Sequence, residues 1–303
     1  MRETRRKWAA VAQSLLLCAA IASVLLFPRA AGTSTPSHTQ EDTSPPPQTY
    51  LGFDANDYPG DDALLGLRKT FAFSGYWLNA PPGAKTNSWT GKRGALLKNG
   101  FGFLVLFNGR LSKELKPPVN PNDLGVKDGE LAVAAAQREG FSSGTGTVIF
   151  LDVEEGGRML PSQFEYLKGW RWRVNASGFF AGVYCSGMKV TEGDGQVITT
   201  ADDIHERVPV PAYFIYNDAC PPSPGCAYLK SPPPPSQSGF AAARVWQFAQ
   251  SPRRRNFTAR CGATYSADGN CYRPGRTAAG HILIDLDSSV SPDPSALVPH
   301  TAR

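Results

Sequence analysis

TVIFLDVE, residues 147–154, is an unbroken apolar run closed by two acids. Its β-branched and aromatic residues read as a strand buried on both faces, the kind found in parallel sheets. An amphipathic helix over 129–139 precedes it and a helix over 163–174 follows, ended by Ser177-Gly178. Outward from this unit the same alternation continues. Strands are expected at 50–56 (YLGFDAN), 73–78 (FSGYWL), 101–108 (FGFLVLFN), 180–185 (FAGVYC), 212–216 (AYFIY), 244–248 (RVWQF) and 281–287 (HILIDLD), with short helices such as 201–207 between some of them. Eight such strands in a body of about 250 residues predict an α/β protein, a (β/α)8 TIM-type barrel. The barrel is expected to be irregular in its C-terminal third, where a cysteine-bearing loop replaces the helix between the last two strands. A doubly wound sheet would carry a Gly-rich phosphate turn after its first strand, and GFDANDYPG is not one.

The acids at strand ends are the candidate chemistry. Asp152 and Glu154 are two residues apart and so share one face of their strand. Asp285 and Asp287 repeat that spacing in ILIDLD, and Asp54 lies late in the first strand. Chemistry in a barrel gathers at the carboxyl ends of its strands. Carboxylates buried together are costly unless they share protons or bind a cation, and a raised pKa is the condition for a general acid near neutral pH. Asp287 and Glu155 are equally readable as helix caps or solvated acids. Tyr76-Trp77, Tyr184, Tyr216 and Trp246-Gln247 lie near strand ends, where flat rings can stack on sugars and amides can bond to hydroxyl and acetamido groups; Tyr76, Tyr184, Trp246 and Gln247 are the candidate substrate contacts, with Asp285 and Asp287. No G-x-S-x-G lies on a strand-to-helix elbow (GFSSG at 140–144 follows a helix and precedes a strand), and there is no P-loop or H-E-x-x-H, so no cofactor and no resident metal are expected.

The net charge of +5 is concentrated at one end. Residues 1–32 hold five basic residues against one acid, which leaves the rest of the chain nearly neutral. That balance gives no electrostatic case for nucleic acid. Residues 2–7 (RETRRK) are basic, 8–27 are apolar and uncharged, and Ala30-Ala31-Gly32 supplies small residues at a cleavage point. Residues 1–32 are therefore expected to be a signal peptide, or an uncleaved membrane anchor through 8–27. Either makes the protein secreted or extracytoplasmic, with membrane contact only through this segment. Residues 33–49, rich in Pro, Ser and Thr, read as a disordered linker, and 50–303 as the barrel domain. Cys220 and Cys226 flank PPSPG, and Cys261 and Cys271 flank GATYSADGN; in an exported protein these predict two disulfides. Cys185 reads as a buried free thiol.

In order, GFDAND, FLDVEEG, GVYCSG, VWQFAQ and IDLD resemble the motifs of family 25 glycoside hydrolases, the lysozyme-type muramidases. They are closer still to a glycoside-hydrolase-like domain of unknown function found in exported bacterial proteins. The resemblance spans roughly residues 50–290. It implies a barrel that cleaves β-1,4 bonds in peptidoglycan. By motif, Glu154 would be the proton donor, and Asp152 would orient an acetamido group or stabilise positive charge. Asp54 with Asp285 or Asp287 would complete an acidic floor, and Tyr184, Trp246 and Gln247 would line the groove. The expected partner is a polysaccharide, peptidoglycan or a related glycan. A barrel that binds such a glycan without turning it over is the alternative, because the first motif departs from the lysozyme-like G-[IF]-D-[VI]-S. A cation-dependent hydrolase using Asp152, Glu154 and Asp285 is a third reading.

Overall fold

The computed structural model describes residues 48–217, 232–249 and 284–297. All of them lie within one unit, Pro46–Arg303. The elements run β1 (Tyr50–Asp54), α1 (Leu64–Arg68), β2 (Phe73–Trp77), α2 (Arg93–Lys98), β3 (Gly102–Asn108), α3 (Pro121–Arg138), β4 (Val148–Val153), α4 (Pro161–Ala176) and β5 (Phe180–Ser186). A small hairpin of β6 (Val190–Thr191) and β7 (Val197–Ile198) follows, then α5 (Thr200–Arg207), β8 (Tyr213–Tyr216), β9 (Ala243–Ala249) and β10 (Asp285–Ser289). Eight strands close a barrel in the order β1-β10-β9-β8-β5-β4-β3-β2. The segment expected to direct export, the expected linker up to residue 47, the four cysteines expected to form disulfides and the loop expected between the last two strands lie outside the described residues.

The irregularity in the last third is one of direction. Every neighbouring pair of barrel strands from β1 through β9 is parallel, whereas β10 is antiparallel to both β1 and β9. A parallel partner needs a crossover that returns to the opposite end of the barrel. Here β9 ends at the carboxyl mouth and β10 starts there, so the chain re-enters where it left. The final strand lies at Asp285–Ser289, later than the expected 281–287. Asp285 and Asp287 therefore begin their strand rather than end it, and the reversal still delivers them to the mouth.

Small and large residues alternate across the barrel interior. A Cβ on Gly52 would lie 2.1 Å from the Phe73 ring, one on Gly182 2.7 Å from Val148, and one on Gly75 2.5 Å from the Asp54 Cβ. The Phe150 and Phe214 rings meet edge to face at 6.3 Å, and Tyr184 stacks on Phe214 at 4.1 Å. A packed interior is thus built from glycine facing aromatic, and the glycines also make room for Asp54.

Outside the barrel, α3 starts eight residues earlier than expected, at Pro121, where the Asn120 side chain accepts from the backbone N–H groups of Asn122 and Asp123. Gly125 and Gly129 weaken the helical reading of the sequence, yet they set the packing. A Cβ on Gly125 would lie 2.1 Å from the Tyr166 carbonyl oxygen, and one on Gly169 of α4 2.1 Å from that of Asn122. The two helices approach so closely that only glycine fits at the crossing.

The chain after β10 crosses the closed end and wedges between β3 and β4. Ser295 N–H donates to Phe103 O, Val148 N–H donates to Ser295 O, and Ser295 Oγ accepts from Val105 N–H at 2.8 Å. Arg244 fixes this tail by donating to the carbonyls of Pro294 and Ala296. Ser295→Ala leaves the buried Val105 N–H without its acceptor and is expected to cost about 1–3 kcal/mol. Urea unfolding of the two proteins measures it; equal midpoints would mean the wedge holds through its backbone alone.

Candidate active site

The mouth gathers side chains from six strands or their ends. Asp54 closes β1, Asp152 lies at the end of β4 with Glu154 one residue beyond it, Tyr184 and Tyr216 face inward from β5 and β8, Gln247 comes from β9, and Asp285 and Asp287 enter from the reversed β10. In the ladder Asp54 pairs with Asp285 and Gly52 with Asp287, while Asp287 also pairs with Gln247.

Gln247 is the hub. Its Nε2 donates to Asp54 Oδ2 at 2.8 Å and to Asp285 Oδ2 at 3.4 Å, and its Oε1 accepts from the Tyr184 hydroxyl at 3.1 Å. The carboxylates demand the NH2 and the phenol demands the carbonyl, so one amide orientation satisfies all three. The Tyr184 hydroxyl stays a donor, because burial and then the charges of Glu154 and Asp54 push its pKa well up. Tyr216 donates its hydroxyl to the Glu154 carbonyl oxygen at 2.7 Å and so fixes the backbone carrying that exposed acid. Burial is the main cause raising the Tyr216 pKa to about 12, with Glu154 and Asp152 adding to it, and keeps this bond intact at neutral pH. A Cβ on Gly109 would lie 2.5 Å from the Asp152 carbonyl oxygen, so the loop after β3 passes the site at a distance only glycine allows.

Two of the acids have no cation among the described residues. Asp152 is buried, and neither of its oxygens has a hydrogen-bond donor among the described residues. Burial chiefly, then the charges of Glu154 and Asp54, hold its pKa well above the usual carboxylate range. Asp287 is fully buried and its oxygens likewise lack a donor among the described residues. Its pKa is raised by burial first, then by Asp54 and Asp285, and finally by a hydrogen bond with Asp54. A bond between two carboxyl groups exists only when one carries a proton, which reconciles the missing donor with that contact. Buried acids elsewhere are treated differently. Asp128 takes the Arg110 guanidinium in a bidentate pair at 2.7 and 3.0 Å, and Asp203 lies 3.2 Å from Arg158 and 3.7 Å from Arg207. Among the described residues, arginine neutralises Asp128 and Asp203 but not the acids at the mouth, where burial favours the protonated form.

Two expected contacts face away. Tyr76 lies on the outer face of β2, where its hydroxyl bonds Glu139 at the end of α3 and its ring meets Phe103 and Phe141. Trp246 lies on the face of β9 opposite Gln247, with its indole N–H on Asn217 Oδ1 at 2.8 Å. Strand alternation explains both corrections, since neighbours in sequence point to opposite faces. Trp77 takes the inward place instead, on the same face as Gly75, whose missing Cβ abuts Asp54. It is almost fully buried, and its indole N–H has no partner among the described residues. Glu155 leaves the cluster and ties loops together, accepting from Ser112 N–H, Ser112 Oγ and Gln163 Nε2. Cys185 is buried and free. Among the described residues no three His, Cys, Asp or Glu side chains are arranged as metal ligands.

Residues 82–218 match the family model of the Rv2525c-like, glycoside hydrolase-like domain. This is the relationship that the ordered motifs imply. The matched stretch holds Asp152, Glu154, Tyr184 and Tyr216, while Asp54, Gln247, Asp285 and Asp287 lie outside it. No curated protein matches the chain. Among solved structures, an uncharacterized B. stearothermophilus protein is 14% identical over 78% of this chain and 94% of its own, with a TM-score of 0.47. The bacterial lysozyme from Streptomyces coelicolor is 13% identical over 81% and 92%, with a TM-score of 0.43. The catalytic domain of the endolysin ply40 from bacteriophage P40 of Listeria monocytogenes is 13% identical over 80% and 93%, also at 0.43.

Because the folded pKa of Asp287 lies above its unfolded value, the native state binds the extra proton. The stability that this proton contributes is complete below the unfolded pKa, near 3.9, and is lost as pH rises toward the folded pKa. Asp287→Asn removes that loss. The variant is expected to gain on the wild type by up to about 1.4 kcal/mol per pH unit as pH rises from about 4 toward the folded pKa. Thermal unfolding across that range measures it; a constant difference would mean that Asp287 is ionised in the native state.

Proposed function

We propose that the protein is an exported glycoside hydrolase acting on peptidoglycan-type β-1,4-linked glycans by carboxylate acid/base chemistry. The observation that carries this reading is a pair of buried acids, Asp152 and Asp287, whose oxygens have no hydrogen-bond donor among the described residues, beside the exposed Glu154 at a barrel mouth. Paired carboxyl groups in different protonation states are the usual equipment for glycoside hydrolysis. Asp152 keeps a proton to higher pH than an isolated acid would, because it is buried and faces the charges of Glu154 and Asp54. Glu154, the exposed member, is the one a glycosidic oxygen can reach, so it donates the proton to the leaving group. The protonated Asp152 resupplies that proton to Glu154, and its own carboxylate then faces the positive charge that develops on the sugar, or orients its acetamido group. Gln247 holds Asp54 and Asp285 as the floor, with Tyr184 behind it. The N-terminal segment, as signal or anchor, would place the barrel on the wall side of the membrane.

The second reading is a catalytically inactive barrel that binds cell-wall glycan. One observation favours it: among the described residues, a cavity touching both Asp152 and Glu154 measures about 40 Å³, room for a few waters.

Wild type and Glu154→Gln incubated with purified peptidoglycan, with reducing ends counted, separate the two. Loss of a general acid is expected to lower the rate about 100-fold or more, and the wild-type profile is expected to be bell-shaped in pH. Equal release by both proteins would remove Glu154 from the chemistry. Retention on the glycan with no release by either would leave the binding barrel.

A further inference from the structure

Helix α2 has six residues, where α3 has 18 and α4 has 16. A full-length helix at that place would cover the outer face beside β3. Instead a groove of about 470 Å³ runs between the loop after β2, the end of β3 and α3. That volume is in the range of small-molecule sites. Leu111 and Leu131 line it and are 44% and 53% exposed, so two large apolar side chains stand in water on one groove.

The groove is polar at its ends. Near its head, Arg110 is already occupied by Asp128 and by Glu114 at 3.5 Å, and the Tyr166 hydroxyl completes Asp128. This cluster of one cation and two acids is net negative. At the far end stands Arg138, exposed and without a hydrogen-bond or ion-pair partner among the described residues. Asp128 and Arg138 are ten residues apart on one helix, a rise of about 15 Å. An extended chain of about four residues covers that length. The head of the groove shares Pro82, Asn108, Gly109, Arg110 and Leu111 with the small cavity that touches Asp152 and Glu154. The groove therefore begins beside the candidate acid and ends at an unpaired guanidinium.

We propose that this groove receives an acid-ended branch of the glycan lying across Glu154, a peptide-like substituent about four residues long whose terminal carboxylate meets Arg138. The inference rests on the glycan reading for the main chain of the ligand, but the groove itself is tested separately. The exposed leucines cover the body of the branch, the acidic head repels its carboxylate, and Arg138 fixes its end. The preferred substrate is then a branched, acid-ended glycan rather than a bare one.

The test is calorimetry on the full chain and on Arg138→Gln and Leu131→Gln. The three probes are an unbranched β-1,4-linked N-acetylhexosamine tetrasaccharide, a disaccharide carrying a tetrapeptide with a free C-terminal carboxylate, and the same disaccharide with its C-terminus amidated. The wild type is expected to bind the free-acid probe about ten-fold more tightly than the amide. Arg138→Gln is expected to remove that preference while leaving the unbranched sugar unchanged. Leu131→Gln is expected to weaken both branched probes alike. Equal binding of acid and amide by the wild type, or a preference that survives Arg138→Gln, would overturn the proposal. If the bare tetrasaccharide is neither bound nor cleaved while the acid preference still depends on Arg138, the groove stands and the glycan reading fails. If the tetrasaccharide is cleaved and acid and amide bind alike, the reverse holds.

Discussion

Asp287 enters the barrel opposite Gly52, and Asp285 opposite Asp54, because β10 runs against both of its neighbours. Everything at the mouth follows from that closure. A parallel eighth strand would present its last residues at the mouth and its first at the closed end. The reversed strand instead brings two further carboxyl groups against Asp54, and Gln247 from β9 links Asp54 and Asp285 across the seam. The same reversal sends the chain on to the closed end, where residues 291–297 fill the gap between β3 and β4. One topological choice thus builds the acidic floor and seals the opposite end.

The chemistry follows from how the fold handles buried charge. Asp128 and Asp203 are as deeply buried as the mouth acids, and each has arginine. Asp152 and Asp287 have none among the described residues, and burial disfavours their charged forms. Such sites are expensive to keep in a structure and are the usual mark of a group tuned for proton transfer. Tyr184, Gln247 and Tyr216 hold the surrounding geometry without contributing charge of their own, which leaves the acids as the dominant field at the mouth.

Much of this was legible in the sequence. TVIFLDVE announced a buried strand with two acids on one face, and the succession of similar runs announced a closed barrel. Asp54, Asp152, Tyr184, Gln247, Asp285 and Asp287 do meet at one mouth. The direction of β10 was not legible, because an apolar strand reads the same whichever way it runs. Tyr76 and Trp246 misled for a reason of parity: an aromatic near a strand end faces inward only if its register matches the acids, and Gly75 beside Asp54 was the clue that Trp77 held that place. The start of α3 was hidden by Gly125 and Gly129, whose role is to admit α4 and not to favour the helix. The groove along α3 was beyond sequence reading, since it depends on a helix being short.

The central claim is that the mouth holds protons at neutral pH. Infrared difference spectroscopy of the protein labelled with carboxyl-¹³C aspartate tests it directly. The account predicts, at pH 7, a protonated carboxyl carbonyl band that loses one component in Asp152→Asn and another in Asp287→Asn. A wild-type spectrum at pH 7 in which every aspartate is ionised would contradict it.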